Sequence, residues 1–153
     1  MKKISIVGFG RFGKTLYKLL APDFDLIIYD PNPAEFTGLK LTKKTKIAQT
    51  VQEIYESEAI FYATPISKFE KIIKEHRKYF KNHLLIDVLS VKVYPAQILG
   101  KYLKNTKTQA LLTHPMFGPD SSKQGFTGLS IAMDKFLCSQ ENYNFWQKYF
   151  EQK

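Results

Sequence analysis

The chain has 153 residues, a single cysteine and no apolar run that approaches the ~20 residues needed to cross a bilayer. A chain of this length forms one domain that buries roughly 68–70% of the surface exposed by its unfolded form, so its core needs neither a disulfide nor a metal. Cys138 cannot form an internal disulfide, and neither a zinc-type Cys/His spacing nor an apolar leader is present. We therefore expect a soluble, cytoplasmic protein with no metal and no membrane partner.

The chain is strongly basic, with 23 Lys and Arg against 14 Asp and Glu and a net charge of +9 at pH 7. Such a charge suits either a nucleic acid or an anionic small molecule as the ligand. Most lysines are scattered among apolar helix positions, and the one compact run, Lys43, Lys44 and Lys46, is typical of a solvated loop. No nucleic-acid-binding motif accompanies the charge, so the sequence favours a small-molecule ligand over nucleic acid.

The first patterned stretch is an apolar, β-rich run that leads directly into Gly8-x-Gly10-x-x-Gly13. Gly8 permits a tight turn from strand to helix, Gly10 leaves room for a pyrophosphate, and Gly13 lets helix and strand pack closely. The free N–H groups and the positive dipole end of the following helix favour phosphate. The loop residues predicted to bind a dinucleotide are Gly8, Phe9, Gly10, Arg11, Phe12 and Gly13.

A second apolar strand ends at Asp30, about 20 residues beyond the glycines, where a carboxylate can bind ribose hydroxyls. A carboxylate there repels a 2′-phosphate, which favours NAD over NADP. Arg11 argues the other way, because a guanidinium can pair with that phosphate, although it can equally serve the pyrophosphate or solvent. The glycine pattern alone is weakly specific, so a glycine-rich turn in another kind of α/β protein is the alternative interpretation.

Strands and helices then alternate after a proline turn at 31–33. Further strands are predicted at 38–41, 59–63, 84–88, 110–113 and 129–133. Helices are predicted to begin at a capping box, Thr50 to Glu53, at a cap on Ser67, near Tyr94 with Pro95 in the first turn, and at Ser139. This alternation predicts a Rossmann-type, doubly wound, mostly parallel sheet in a single domain, residues 1–153.

Polar residues follow several of these strands directly. Thr64, with Pro65 beside it, Ser90 and His114 each come just past a predicted strand. The carboxyl ends of parallel strands meet at one edge of the sheet, so we expect these residues to gather beside the glycine loop, with Thr64 and Pro65 against the cofactor. The other two histidines, at positions 76 and 83, lie among lysines in a stretch that looks exposed and are not candidates.

Four segments taken together resemble the prephenate and arogenate dehydrogenases, particularly the plant-type arogenate enzymes. They are the glycine loop, Asp-Val-Leu-Ser-Val-Lys at 87–92, Thr-His-Pro-Met-Phe-Gly-Pro-Asp at 113–120, and Met-Asp-Lys at 133–135. Their order and spacing match over nearly the whole chain. The His-Pro-x-x-Gly element after Ser-Val-Lys is far more specific than the glycine loop alone.

The resemblance implies catalytic and substrate-binding roles for His114 and Ser90. In that family the histidine assists deprotonation of the ring hydroxyl while hydride leaves, which suits a side chain that titrates near neutral pH. The serine lies beside the nicotinamide and the same hydroxyl. Asp120 falls near the substrate mouth, where bacterial relatives often have Glu, and Lys92 matches a motif lysine whose role can be purely structural.

The resemblance also implies a reaction, the NAD-dependent oxidative decarboxylation of prephenate or arogenate in tyrosine biosynthesis. Family members carry a C-terminal helical domain that forms the dimer and supplies an Arg for the substrate carboxylate. The 153 residues hold no such domain, so we expect a homodimer or a partner chain to supply it. The alternative is a non-catalytic dinucleotide-binding module that has lost the substrate chemistry.

Overall fold

The computed structural model describes residues 2–153, in which seven strands form one sheet in the order β3-β2-β1-β4-β5-β6-β7. The strands are β1 (Lys3–Val7), β2 (Asp25–Tyr29), β3 (Thr45–Ile47), β4 (Ala59–Tyr62), β5 (Leu84–Asp87), β6 (Gln109–Pro115) and β7 (Ile131–Leu137). Neighbouring strands are parallel except for β6 and β7, which are antiparallel. This order confirms the predicted Rossmann-type, doubly wound sheet.

Helices cover both faces of the sheet. They are α1 (Arg11–Leu20), α2 (Val51–Ile54), α3 (Ile66–His76), α4 (Val93–Leu103) and α5 (Gln140–Glu151), with 3-10 turns at Pro33–Phe36 and Arg77–Tyr79. Apolar residues of α1 and α5 share one core cluster with one face of the strands, and those of α2, α3 and α4 share a second cluster with the other. None of the helices in residues 2–153 is both long and apolar enough to cross a bilayer.

The central strands are apolar without alternation because both of their faces are covered. All residues of β4 are buried, with Phe61 in one core cluster and Ile60 and Tyr62 in the other. Strands of this kind give a continuous apolar run in the sequence. That is why β4 and β5 were predictable to within a residue.

The strand predicted at 38–41 is wrong, because the third strand is Thr45–Ile47 and Gly38 lies in a turn with φ +71°. The real strand has only three residues, lies at the edge of the sheet and contains Lys46, whose Nζ is 2.7 Å from Glu53 Oε2. Charged side chains are common on edge strands, so its sequence resembles a loop. The basic run is therefore only partly a solvated loop.

Two helix starts are confirmed and one is wrong. At α2 the Thr50 N–H donates to Glu53 Oε1 (3.0 Å), and at α5 the Ser139 hydroxyl accepts from the Asn142 N–H (3.2 Å). The cap predicted on Ser67 is wrong, because α3 already begins at Ile66, with Pro65 as its N-cap residue. Other predicted boundaries differ less, except that the last strand, predicted at 129–133, runs from Ile131 to Leu137.

The exposed environment expected for His76 and His83 is also wrong. His76 is 4% exposed, and its Nδ1 lies 2.9 Å from the Tyr55 hydroxyl and 3.3 Å from that of Tyr62. Burial lowers the pKa of His76 to about 4. His83 is half-buried, with Nε2 3.2 Å from the Tyr55 carbonyl oxygen, and burial lowers its pKa too. The neighbouring lysines make this stretch look exposed, but the helical spacing places His76 three residues after the buried Ile73.

Candidate active site

Two adjoining cavities lie at the carboxyl ends of the parallel strands. The glycine-loop cavity, of about 570 Å³, is lined by the loop after β1, the segment after β2 and one side of α3. The histidine cavity, of about 640 Å³, is lined by the segments that follow β5 and β6. Phe12, Ala63 and Thr64 line both. The two cavities thus form one groove at the point where the strand order reverses, between β1 and β4.

The three loop glycines are required for different reasons. A Cβ on Gly8, whose φ is +90°, would lie 2.4 Å from the Ala63 carbonyl oxygen, and one on Gly13 would lie 2.1 Å from the Gly8 carbonyl oxygen. A Cβ on Gly10 would meet no atom within 4 Å, although Gly10 lines the cavity. Gly8 and Gly13 are therefore fixed by the fold, whereas Gly10 keeps the groove clear.

The helix that leaves the loop presents its N-terminus without a competing anion. Gly10 is its N-cap residue and gives no side-chain cap, and the first turn of α1 contains no acidic residue. The first N–H groups and the positive end of the helix dipole are thus open to an anionic ligand.

Asp30 lines the glycine-loop cavity and also accepts a hydrogen bond from the glycine loop. Its Oδ2 accepts a hydrogen bond from the Phe9 N–H (2.8 Å), and its Oδ1 accepts one from the Asn32 N–H (2.8 Å). Glu35 lines the same cavity, and its Oε2 lies 2.6 Å from Lys14 Nζ. The carboxylates of Asp30 and Glu35 therefore both line this cavity, in the segment that follows β2.

Arg11 and Asp120, predicted to serve cofactor and substrate separately, form an ion pair with each other. Arg11 Nη2 lies 2.9 Å from Asp120 Oδ2, and Lys123 Nζ lies 3.1 Å from Asp120 Oδ1. Hydrogen bonds from Lys123 and Arg11 hold the pKa of the Asp120 carboxyl below its usual value. Arg11 lines the glycine-loop cavity and Ser121 lines the histidine cavity, so the exposed pair spans the boundary between them.

Thr64 and Pro65 follow β4 at the centre of the groove. Thr64 is 6% exposed, and its hydroxyl has no hydrogen-bond partner within residues 2–153. An unsatisfied buried hydroxyl costs about 1–3 kcal/mol, which a ligand in the groove would recover. Pro65 lines the glycine-loop cavity. The open space beside Gly10 and this unpartnered hydroxyl both fit a polar ligand such as a dinucleotide.

Ser90 and His114 line the histidine cavity together with Thr64. Ser90 is exposed on the loop after β5, and the half-buried His114 lies near the end of β6, paired with Ala132 of β7. The gathering expected from their places at strand ends is thus what the structure shows. Among the residues described, no three His, Cys, Asp or Glu side chains are grouped as a metal site requires.

An ion pair at the two ends of the segment that contains Ser90 was not singled out from the sequence. Lys92 Nζ lies 2.6 and 2.8 Å from the two carboxylate oxygens of Asp87 and also donates to the Thr113 carbonyl oxygen. Burial raises the pKa of the Asp87 carboxyl and lowers that of the Lys92 ammonium, and the pairing opposes both shifts. The available signal was a carboxylate that ends an otherwise apolar strand.

Comparison with known proteins identifies relatives of the chain. The family model for the prephenate dehydrogenase nucleotide-binding domain matches residues 17–142. Arogenate dehydrogenase 2, chloroplastic, of Arabidopsis thaliana is 30% identical over 138 residues, covering 87% of this chain and 38% of that protein. Arogenate dehydrogenase 1, chloroplastic, of the same plant is 31% identical over 144 residues, covering 92% of this chain and 22% of that protein. The chain thus spans well under half the length of either relative.

Solved structures share the fold. The arogenate dehydrogenase of Synechocystis has a TM-score of 0.73 at 17% identity over 98% of this chain and 56% of its own. A variant imine reductase from Myxococcus stipitatus in complex with NAD+ has a TM-score of 0.79 at 16% identity, over 97% of this chain and 51% of its own. The imine reductase from Myxococcus stipitatus in complex with NADP+ has a TM-score of 0.76 at 16% identity, over 97% of this chain and 50% of its own. Identities this low establish the fold alone, whereas the family match extends over most of the sequence. The chain belongs to the prephenate dehydrogenase family, as a nucleotide-binding domain.

Proposed function

We propose that this chain is the cofactor-binding and histidine-bearing domain of an enzyme that oxidatively decarboxylates prephenate or arogenate in tyrosine biosynthesis. The proposal rests chiefly on the two adjoining cavities, one lined by the glycine loop and the other by Ser90 and His114, which share Phe12, Ala63 and Thr64 as lining residues. The two curated relatives are arogenate dehydrogenases. A groove of this kind can hold a dinucleotide with its reactive end beside a general base.

The glycine-loop cavity is the proposed cofactor site. Gly10 leaves space for a pyrophosphate beside the N-terminus of α1, Asp30 can accept hydrogen bonds from ribose hydroxyls, and Thr64 has an unused hydroxyl. A bound nicotinamide would supply the hydride acceptor. Pro65 and the loop side chains of Phe9, Arg11 and Phe12 complete the set of proposed cofactor-binding residues.

NAD is the proposed cofactor. Asp30 lines the cavity and would repel a 2′-phosphate, whereas the charges of Arg11 and Glu35 are already paired with Asp120 and Lys14. Solved proteins of the same fold hold either NAD+ or NADP+, so the fold does not decide the choice. The proposed preference for NAD rests on the Asp30 carboxylate.

The histidine cavity is the proposed site of chemistry. There His114 accepts the proton of the substrate's ring hydroxyl, and Ser90 hydrogen-bonds the same oxygen and orients it. Phe117 and Met116 also line the cavity and give it an apolar wall for the substrate ring. Oxidation of that carbon and loss of the ring carboxylate as CO2 leave an aromatic ring, which makes the reaction effectively irreversible.

The substrate's carboxylates need cations that this cavity does not provide. Among the described residues that line it, none is Arg or Lys. We propose that a further domain or a partner chain contributes the Arg, as in the family, and that Asp120 lies near the entrance used by the substrate. Bidentate pairing of Arg with a carboxylate would then orient the substrate toward His114.

The experiment has two stages. Calorimetry with NAD and NADP measures binding by the chain itself, and we expect NAD to bind more tightly. NADH formation from prephenate and from arogenate is then measured with and without candidate partner chains, and we expect turnover only in a complete assembly. Failure to bind either dinucleotide would contradict the proposal at its first step.

The missing cations also favour a second candidate, a dinucleotide-binding module without turnover. This module would bind NAD through the same loop but neither prephenate nor arogenate. Calorimetry of the NAD-saturated chain with each acid, repeated with partner chains, separates the two functions. Substrate binding in any of these mixtures favours the enzyme, and NAD binding alone in all of them favours the module.

A further inference from the structure

We propose that Lys92 is a positioning residue of the histidine cavity. Through Asp87 and the Thr113 carbonyl, its ammonium fixes where Ser90 lies relative to His114. This inference rests on the proposed function, in which both side chains contact one substrate hydroxyl. It assigns to the ion pair an effect on ligand geometry in addition to stability.

All the donors of the Lys92 ammonium are used within the protein. An ammonium has three N–H groups, and Lys92 Nζ contacts Asp87 Oδ1 at 2.6 Å, Asp87 Oδ2 at 2.8 Å and the Thr113 carbonyl oxygen. The Asp87 side chain is fully buried, and that of Lys92 is 27% exposed. The group is therefore committed to holding two segments together and has no donor left for a ligand.

One further hydrogen bond joins the same two segments, and another lies within the segment 87–92. The Thr113 hydroxyl donates to the Asp87 carbonyl oxygen (2.7 Å), and the Leu89 N–H donates to Asp87 Oδ1 (2.9 Å). The ends of β5 and β6 are thus joined through side chains beyond their last register pair, Asp87 with Leu112. Lys92 adds contacts with both segments, through the Asp87 carboxylate and the Thr113 carbonyl oxygen.

The position of these contacts in the chain connects them to the cavity. Ser90 lies inside the segment 87–92, whose two ends are joined by the ion pair, and Thr113 immediately precedes His114. Both side chains line the histidine cavity. Movement of the ammonium would displace the loop on one side and the strand end on the other, so the distance across the cavity depends on it.

A purely stabilising role would not require this arrangement. Buried ion pairs are often no more stabilising than well-packed apolar replacements, whereas removing one partner leaves an uncompensated charge. Lysine also suits three converging acceptors better than arginine, whose donors lie in one plane. The geometry is therefore better explained by a requirement for fixed placement.

The test uses a double variant in which no buried charge is left alone. Lys92→Met with Asp87→Asn removes the ammonium and the carboxylate together, while the new amide oxygen can still accept from the Leu89 N–H. The matched control is Lys101→Met with Glu70→Gln, which removes an ion pair of 3.0 Å between α4 and α3 on the surface. Thermal melts and amide spectra verify that both variants fold.

NMR supplies readouts that do not depend on turnover. In the ligand-free Lys92/Asp87 variant we expect the His114 ring signals and the amide signals of 88–93 to shift, and in the control we expect them to stay in place. Titration with nicotinamide mononucleotide should show an affinity reduced roughly tenfold in the Lys92/Asp87 variant, because small misplacements at a site weaken binding strongly. Affinity for AMP should be unchanged, because the glycine-loop cavity is intact.

Each outcome decides the inference. Ring and amide signals that superimpose on those of the wild type would overturn it, as would equal losses for AMP and for nicotinamide mononucleotide, which would indicate general disruption. If the wild type binds neither NAD nor NADP in calorimetry, the proposed function fails, while displaced His114 signals would still support positioning by Lys92. The two failures are therefore distinguishable.

Discussion

The two cavities of the groove each contain one histidine, and the two imidazoles have different surroundings. His76, in the glycine-loop cavity, is 4% exposed, and its Nδ1 lies within hydrogen-bond distance of two tyrosine hydroxyls. His114, in the histidine cavity, is half-buried near a strand end and shares its cavity wall with the exposed Ser90. A ring whose nitrogen bonds inside the protein contributes to the fold, whereas a ring on the wall of a cavity is accessible to a ligand.

The largest effect, on the rate of NADH formation, should come from replacing His114. His114→Asn should lower the rate of the complete assembly by roughly 10²–10⁴, the usual contribution of a general base, and leave the affinity for NAD unchanged. Rates of NADH formation, with calorimetry for NAD, measure both. If stability and NAD affinity fell together with the rate, His114 would be a packing residue.

Replacement of Gly10 should separate binding from folding. Gly10→Val should abolish NAD binding, because the side chain would occupy the open space where we place the pyrophosphate, and the fold should be kept because a Cβ there meets no protein atom within 4 Å. Gly13→Ala is the control and should lower the melting temperature, because its Cβ would lie 2.1 Å from the Gly8 carbonyl oxygen. Calorimetry and thermal melts distinguish the two effects. An unchanged NAD affinity in Gly10→Val would mean that the loop is only a turn.

The buried imidazole of His76 should make the free energy of unfolding depend on pH. Its pKa is about 4 in the folded chain and about 6.5 when unfolded, so acid protonates the unfolded chain first. The contribution of His76 is thus fully present above pH ~6.5 and falls by about 2–3 kcal/mol as the pH drops to ~4. His76→Gln should flatten that part of the curve. The measurement is urea unfolding of both proteins at several pH values, and parallel curves would contradict the assignment.

The smallest effect should be on cofactor choice. Asp30→Asn removes the negative charge but keeps oxygen to accept from the Phe9 N–H, so the loop should retain its conformation. The ratio of NAD to NADP affinity should fall roughly tenfold, or about 1.4 kcal/mol. Binding isotherms for both dinucleotides measure the ratio. A wild-type chain that already prefers NADP would show that Arg11 outweighs Asp30.

The parts of the fold that the sequence predicted well are those whose signal is local. The apolar strands, the glycine loop and the cap at Thr50 depend on residues close together in the chain. Strand β3 was missed because a short edge strand buries little, and the burial of His76 was missed because neighbouring lysines outweighed its helical spacing. Tertiary packing overrides local composition at both places.

The candidate site also contains features that the sequence predicts and contacts that it does not. The placement of Ser90 and His114 on one wall follows from strand ends that meet at one edge of a parallel sheet. The pairing of Arg11 with Asp120 joins residues 109 positions apart, and the Lys92 contact with Thr113 joins residues 21 apart. Such contacts depend on the shape of loops, which spacing in a single sequence does not specify.

The different constraints on the loop glycines have an evolutionary consequence. Selection for folding alone is enough to retain Gly8 and Gly13, because any side chain there meets a carbonyl oxygen within 2.4 Å. A Cβ on Gly10 meets no protein atom within 4 Å, so the constraint we expect at that position is a bound dinucleotide. In lineages that stop using the dinucleotide, Gly10 should be the first of the three to drift, and its identity in a related sequence would then report whether the groove is still in use.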